Sequence, residues 1–172
     1  MNSQPLDQLM PSLEPIWSWL DEVMDPEIPV VSVLDLGIVR EVRWHGDTLQ
    51  VDVCPTYSGC PATRFISESI TSALRGQGVQ NVVVKTVLTP PWSSAWITPR
   101  GRERLLAYGI VPPVVGAGDR DELPWRRARP MLSCPQCDDS AVERLSEFGS
   151  TPCKAQYRCT ACLEPFEYFK CI

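Results

Sequence analysis

Cys134-Pro135-Gln136-Cys137 and Cys159-Thr160-Ala161-Cys162 decide how the C-terminal part of this chain folds. In each pair a two-residue gap lets two sulfurs turn toward one ion. The pairs stand 21 residues apart, one beyond the usual spacing of zinc sites built this way. Four thiolates in a tetrahedron suit Zn²⁺ at about 2.3 Å per bond, and such closed sites are mostly structural. Cys134, Cys137, Cys159 and Cys162 are therefore the expected ligands of a structural zinc in a ribbon spanning 131–172. That segment has too few apolar residues to fold on its own core, so the metal would contribute much of its folding free energy. Iron also accepts four sulfurs in this geometry. Cys153 and Cys171 compete for the same positions. Cys153 could replace a member of either pair, although the two CxxC turns present adjacent sulfurs more readily. Cys171 is the least constrained.

Upstream of the ribbon the periodicity changes. Leu13, Ile16, Trp17, Leu20, Val23 and Met24 recur at helical spacing and predict an amphipathic helix ending at Asp25 and Pro26. Ile38, Val42 and Trp44 share a face of a strand from Gly37 to Trp44, and His45-Gly46-Asp47 reads as a tight turn. Leu49, Val51 and Val53 alternate with polar residues, the period of a half-buried strand. A second helix follows Gly59-Cys60-Pro61, with Ala62, Phe65, Ile66, Ile70, Ala73 and Leu74 as its apolar stripe and Gly76 and Gly78 at its end. Asn81 to Thr89 reads as a third strand, with Val82, Val84 and Leu88 on one face. Thr98 and Pro99 open a third helix that Gly109 closes after Leu105, Leu106 and Tyr108. The predicted class is α+β: a small three-stranded sheet packed with helices over 1–110, a Pro-rich linker over 111–130, and the zinc ribbon.

The chain has 172 residues, a net charge of −5 and a pI near 4.9. That balance argues against a nucleic-acid footprint, which needs a basic face. The run Trp125-Arg126-Arg127-Ala128-Arg129 is short and reads as solvated linker. No apolar run approaches the 18 or so residues of a membrane span. The first residues, Met1-Asn2-Ser3-Gln4-Pro5, lack the features of a secretory signal. With eight cysteines but no export signal, reduced metal ligands fit better than disulfides. A cytoplasmic location is expected.

Cys60 is the sharpest candidate in the first module. Pro61 belongs at a first helical position, which would set Cys60 at the cap, facing unpaired backbone N–H groups. A thiol there is expected to have a depressed pKa, fit for metal binding or attack. A buried cysteine that merely caps the helix is the competing reading. Cys54, six residues earlier, could face the same cavity, but a half-buried strand residue is the simpler role. Asp25, Glu27 and Asp35 place carboxylates around a proline-bearing loop, where they could help a thiolate hold Fe²⁺ or serve only as turn chemistry. His45, the single histidine, falls in a turn, so nucleophilic catalysis is not expected. No phosphate loop or dinucleotide fingerprint is present. Trp92 and Trp96 read as core, or as a surface for a partner.

The stretch Asp25-Pro26-Glu27-Ile28-Pro29 through Asp35-Leu36-Gly37-Ile38-Val39, with Pro55-Thr56-Tyr57-Ser58-Gly59-Cys60-Pro61-Ala62-Thr63, resembles the metal–sulfur cluster assembly family. Cys60 matches the cysteine of that family's motif. The likeness continues through Pro91-Trp92, Trp96-Ile97-Thr98-Pro99 and Arg102-Glu103-Arg104-Leu105. The ending, with Cys153-Lys154-Ala155 and Glu164-Pro165-Phe166-Glu167-Tyr168-Phe169-Lys170-Cys171-Ile172, narrows it to the D-subunit family of phenylacetyl-CoA epoxidase systems. The resemblance implies a non-catalytic maturation factor that assists assembly of iron or iron–sulfur centres in phenylacetate degradation. Its implied cargo is transient iron or a cluster, bound at Cys60; help from Asp25 is the expectation that its place in the proline-bearing loop adds. Its implied partners are the oxygenase and reductase components, with a homodimer left open and neither nucleic acid nor membrane expected. A scaffolding subunit and a small electron carrier with iron at the four cysteines are the rival expectations.

Overall fold

The computed structural model describes residues 10–57, 59–114 and 132–170. The basic run at 126–129 and most of the expected linker lie outside them, as do Ser58 and Cys171. Helix α1 (Leu13–Asp21) buries Ile16 and Leu20. It stops short of the expected Asp25. The N–H groups of Glu22 and Val23 close a final tight turn on Trp19 and Leu20, and the chain then bends back. Met24 bridges Ser32 in antiparallel fashion, and Asp25 N–H donates to the Val31 carbonyl at 2.9 Å. The Asp25 side chain holds this bend by accepting from the N–H groups of Glu27 and Ile28, both at 2.8 Å. Local propensity would have extended the helix; a carboxylate beside Pro26 makes a turn instead.

Strands β1 (Val39–His45) and β2 (Thr48–Val53) form the expected hairpin across Gly46-Asp47, with Gly46 at a positive φ of 59°. Strand β3 (Val82–Thr86) pairs in parallel with β2, giving the order β1-β2-β3. The central strand is buried on both faces rather than half-buried. Gln50 and Asp52, its expected solvent-facing residues, are buried and bonded to each other at 2.6 Å, and Arg43 reaches Asp52 at 2.8 Å. Such pairing is what makes burial of polar side chains tolerable. Strand β3 ends before Leu88, which is exposed.

Helix α2 (Thr63–Gly76) makes the connection between the parallel strands and buries Ile66, Ile70 and Leu74. Phe65, expected in its stripe, points to solvent. Helix α3 (Pro99–Ala107) begins as expected: Thr98 Oγ1 accepts from Gly101 N–H at 2.9 Å. It buries Leu105, whereas Leu106 and Tyr108 are exposed.

A second sheet contains the ribbon: β5 (Val142–Ser146), β6 (Lys154–Cys159) and β7 (Pro165–Phe169), antiparallel in succession. Its fourth strand is β4 (Ile110–Val111), which follows α3 directly and pairs in parallel with β7. The sheet order is β4-β7-β6-β5. Cys153 and Phe169 are buried within the core of the first module, and the Phe169 and Trp92 rings lie 5.9 Å apart. The two modules therefore share apolar packing as well as a sheet.

Candidate metal centres

Two groups of sulfur-bearing side chains stand out. The first is the ribbon quartet. The four Sγ atoms of Cys134, Cys137, Cys159 and Cys162 all lie within 4.8 Å of one another. Cys134 and Cys162 are 3.6 Å apart, as are Cys137 and Cys159. Sulfurs at the corners of a tetrahedron with 2.3 Å bonds to a central ion would be separated by about 3.8 Å. The Cys134–Cys162 and Cys137–Cys159 pairs match that separation within a few tenths of an ångström, and the remaining pairs lie within 4.8 Å. Each pair sits on a tight knuckle. Gln136 N–H faces the Cys134 sulfur at 3.4 Å and Cys162 N–H faces the Cys159 sulfur at 3.5 Å. The residue after each pair, Asp138 or Leu163, takes a left-handed conformation, with φ of 58° and 66°. Two non-glycine residues in that region indicate that the surrounding turn over-determines the backbone.

Without a cation the Cys137 and Cys159 thiols are driven in opposite directions. Backbone N–H groups of Cys162 and Ala161 bring the Cys159 thiol down to about 7. The Asp139 N–H likewise lowers Cys137, but the neighbouring sulfurs, led by Cys162, outweigh it and push that thiol up to about 12. A positive ion among them removes this conflict.

The second group lies where the modules meet. Cys60, Cys153, Asp25, Glu27, Thr56 and Phe169 are among the residues lining a small cleft with about 10 Å³ of free space. Cys60 does not cap α2 directly, because Pro61 and Ala62 form a preceding turn and Thr63 starts the helix. Its carbonyl accepts from Thr63 N–H and Thr63 Oγ1, at 3.2 and 2.9 Å. Its thiol is half-buried and is shifted up, not down. Burial is the main cause, and the carboxylates of Glu27 and Asp25 add to it, outweighing the Ala62 N–H that favours the thiolate. The expected depressed pKa is thus overturned by desolvation and by negative neighbours.

Asp25 is buried, and that burial raises its carboxyl pKa despite the two N–H groups it accepts. Glu27 is also raised, by burial and then by Asp25. Asp35 does not join them. It is fully buried elsewhere, accepting from Thr98 Oγ1, Arg100 Nε and Arg104 Nη1 at 3.1, 2.7 and 2.8 Å. Cys54 is sealed at the end of β2, its sulfur 3.7 Å from the Pro90 carbonyl, and it does not line the cleft. His45 is exposed beside Arg43. Trp92 is half-buried with its indole N–H on the Leu36 carbonyl at 2.9 Å, while Trp96 lies under the Arg40 guanidinium at 3.5 Å. Cys153 is the residue that spacing left open, as a candidate replacement for a member of either pair. It stands outside the quartet, and its only mark in the sequence is that it belongs to neither CxxC pair.

Residues 13–87 match a family described as iron-sulfur cluster assembly protein, and residues 120–170 match the PaaD zinc beta ribbon domain. Over 162 residues the chain is 46% identical to an Escherichia coli (strain K12) protein provisionally named as the D subunit of 1,2-phenylacetyl-CoA epoxidase, covering 94% of each. The chain belongs to the D-subunit family of phenylacetyl-CoA epoxidases. Among solved structures it resembles a domain of unknown function, DUF59, from Bacillus anthracis, at 26% identity and a TM-score of 0.50. That match covers 53% of this chain and 88% of the other. This family member thus joins an assembly-type α+β module to a zinc ribbon carrying the cysteine quartet. No helix among the described residues is long and apolar enough to cross a membrane.

Proposed function

We propose that this protein is an accessory maturation factor for a multicomponent phenylacetyl-CoA epoxidase, delivering iron or an iron–sulfur cluster through Cys60 to the oxygenase or reductase component. The observation that carries this reading is the position of Cys60: half-buried, in an acid-lined cleft at the start of α2, within the segment that matches the cluster-assembly family. Asp25 supports the site by shaping its wall and adding negative charge. A cargo thiol must bind metal yet release it. A half-buried sulfur whose thiolate is disfavoured when empty suits that demand, because metal and proton exchange for one another. The four ribbon cysteines hold a structural zinc, which stiffens the module against the first domain and leaves Cys60 as the exchangeable position.

The test is replacement of the only copy by Cys60→Ala. The variant is expected to fold and keep its zinc, while iron occupancy of the client falls at least severalfold, measured by elemental analysis of the purified oxygenase and reductase. Full client metallation with that variant would remove the reading.

A further inference from the structure

Strands β1, β3, β4 and β5 edge the two sheets, and β3 differs from the others. Strand β1 carries a register shift between Val39 and Glu41, and β5 carries one between Arg144 and Ser146. Strand β4 has only two residues. Bulges and shortness are devices by which native sheets keep an edge from pairing further. Strand β3 uses neither: its five residues pair with β2 in unbroken register. No described strand lies on its other side.

The backbone groups left over can be assigned. Leu49 N–H donates to the Asn81 carbonyl and Val87 N–H to the Val53 carbonyl, both at 2.8 Å. Alternation along the strand then turns the backbone of Val83 and Lys85 toward β2 and that of Val82, Val84 and Thr86 outward. Side chains alternate as well. Val82 and Val84 pack against the core, whereas Val83 and Lys85 are exposed. An open groove lies on each face of the strand. One, of about 510 Å³, runs between Val84 and the Arg64, Ser67, Thr71 and Arg75 positions of α2. The other, of about 500 Å³, lies over Val83 and Lys85 beside Arg43 and Gln50.

Charge says what would fill them. The grooves hold the cations Arg43, Arg64, Arg75 and Lys85 against a single carboxylate, Glu68, in a chain whose net charge is −5. Asp52 engages Arg43, and Glu68 engages Arg64. Arg75 and Lys85 have no ion-pair partner among the described residues. They stand on opposite faces of one open strand.

We propose that β3 is the docking edge for an extended, carboxylate-bearing segment of a partner protein. The segment adds to the first sheet as a fourth strand and sets acidic side chains against Arg75 on one face and Lys85 on the other. Main-chain bonds to Val82, Val84 and Thr86 give affinity, and the alternating contacts give specificity. The two grooves share no residue with the Cys60 cleft, so the surface does not depend on what that thiol carries. A second copy of this chain is disfavoured. Antiparallel pairing centred on Val84 would set two Lys85 side chains diagonally across one face and bring both basic grooves together.

The probe is a short blocked peptide alternating Val and Glu, titrated into full-length, zinc-loaded protein and followed by amide NMR. The Val82, Val84 and Thr86 amides are expected to shift and to gain protection from hydrogen exchange. Lys85→Glu, Arg75→Glu or a Val/Lys peptide should each weaken binding by about tenfold. Val84→Pro should abolish it, because the N–H lost there faces outward and serves no bond to β2. A Val/Glu peptide N-methylated at alternate residues asks the same question of the wild type, should proline disturb folding. Absence of shifts at β3, equal binding of the Glu and Lys peptides, or undiminished binding of the methylated peptide would overturn the proposal. So would outward β3 amides already protected in the free protein. Protection that grows with protein concentration would assign the edge to a second copy, and protection independent of it to another segment of this chain.

Discussion

Asp35 is fully buried, and its carboxylate ties the loop after α1 to the first turns of α3. It also accepts from Ser32 N–H at 3.2 Å, while Ser32 Oγ accepts from Asp35 N–H at 3.0 Å. Burial alone would raise its pKa, but the bonds from Arg100, Ser32 and Thr98 hold it below the usual carboxylate range. Asp21 is lowered too, chiefly by Arg100. Carboxylates with depressed folded values add stability above their unfolded pKa, near 3.8. That stability is lost as pH falls through the folded values. Asp25 and Glu27 are raised and act in the opposite sense, favouring the fold below their unfolded values. Asp35→Asn should cost about 1.5–3 kcal/mol at pH 7, the range for losing charged hydrogen bonds at a buried position. It should also flatten the loss of stability below pH 4, as measured by urea midpoints from pH 3 to 7. An unaltered acid limb in the variant would assign acid sensitivity elsewhere.

Helix α3 shows how an element is placed by a contact that propensity does not reveal. Gly101 lies in its first turn, where alanine would normally stabilise a helix by up to about 1 kcal/mol. Here a Cβ at Gly101 would stand 2.6 Å from the Asp35 carbonyl oxygen, which is backbone and cannot swing aside. Gly101→Ala should therefore destabilise by about 1–3 kcal/mol, visible as a lower thermal midpoint. A neutral or stabilising result would show that α3 can slide away from the loop. Elements with a full set of local signals were legible from sequence: the Thr98-Pro99 start of α3, the Gly46 turn and the Gly76 end of α2. Others were not. The apolar spacing of Val23 and Met24 continued a helix on paper, but Asp25 and Pro26 form a bend that begins earlier because Ser32 and Val31 return to pair there. Two-residue β4 has no periodicity of its own, since a strand that short exists only by pairing with β7.

At the level of the whole molecule, the ribbon and the first module are joined by the β4–β7 pairing and by Phe169, which packs into the first module's core beside Trp92. Removing the ribbon's metal should therefore be felt beyond the ribbon. Burial of a Phe side chain is worth about 1.5–3 kcal/mol, which corresponds to a thermal shift of about 5–10 °C in a chain of this size. A strong chelator is expected to release zinc, change tryptophan fluorescence and lower the midpoint of the remaining transition by about that amount. An α+β module that melts at the same temperature with and without the metal would show the two to be independent.

Spacing and periodicity alone determined the α+β class of the first module, its hairpin, the ribbon quartet and the candidacy of Cys60, because each rests on neighbours a few residues apart or on a repeat. The surroundings of that thiol, the burial of Gln50 and Asp52 and the placement of Cys153 were decided only in three dimensions. They depend on desolvation and on partners far away in the chain: 126 residues separate Cys153 from Glu27, and nothing local marks them as neighbours.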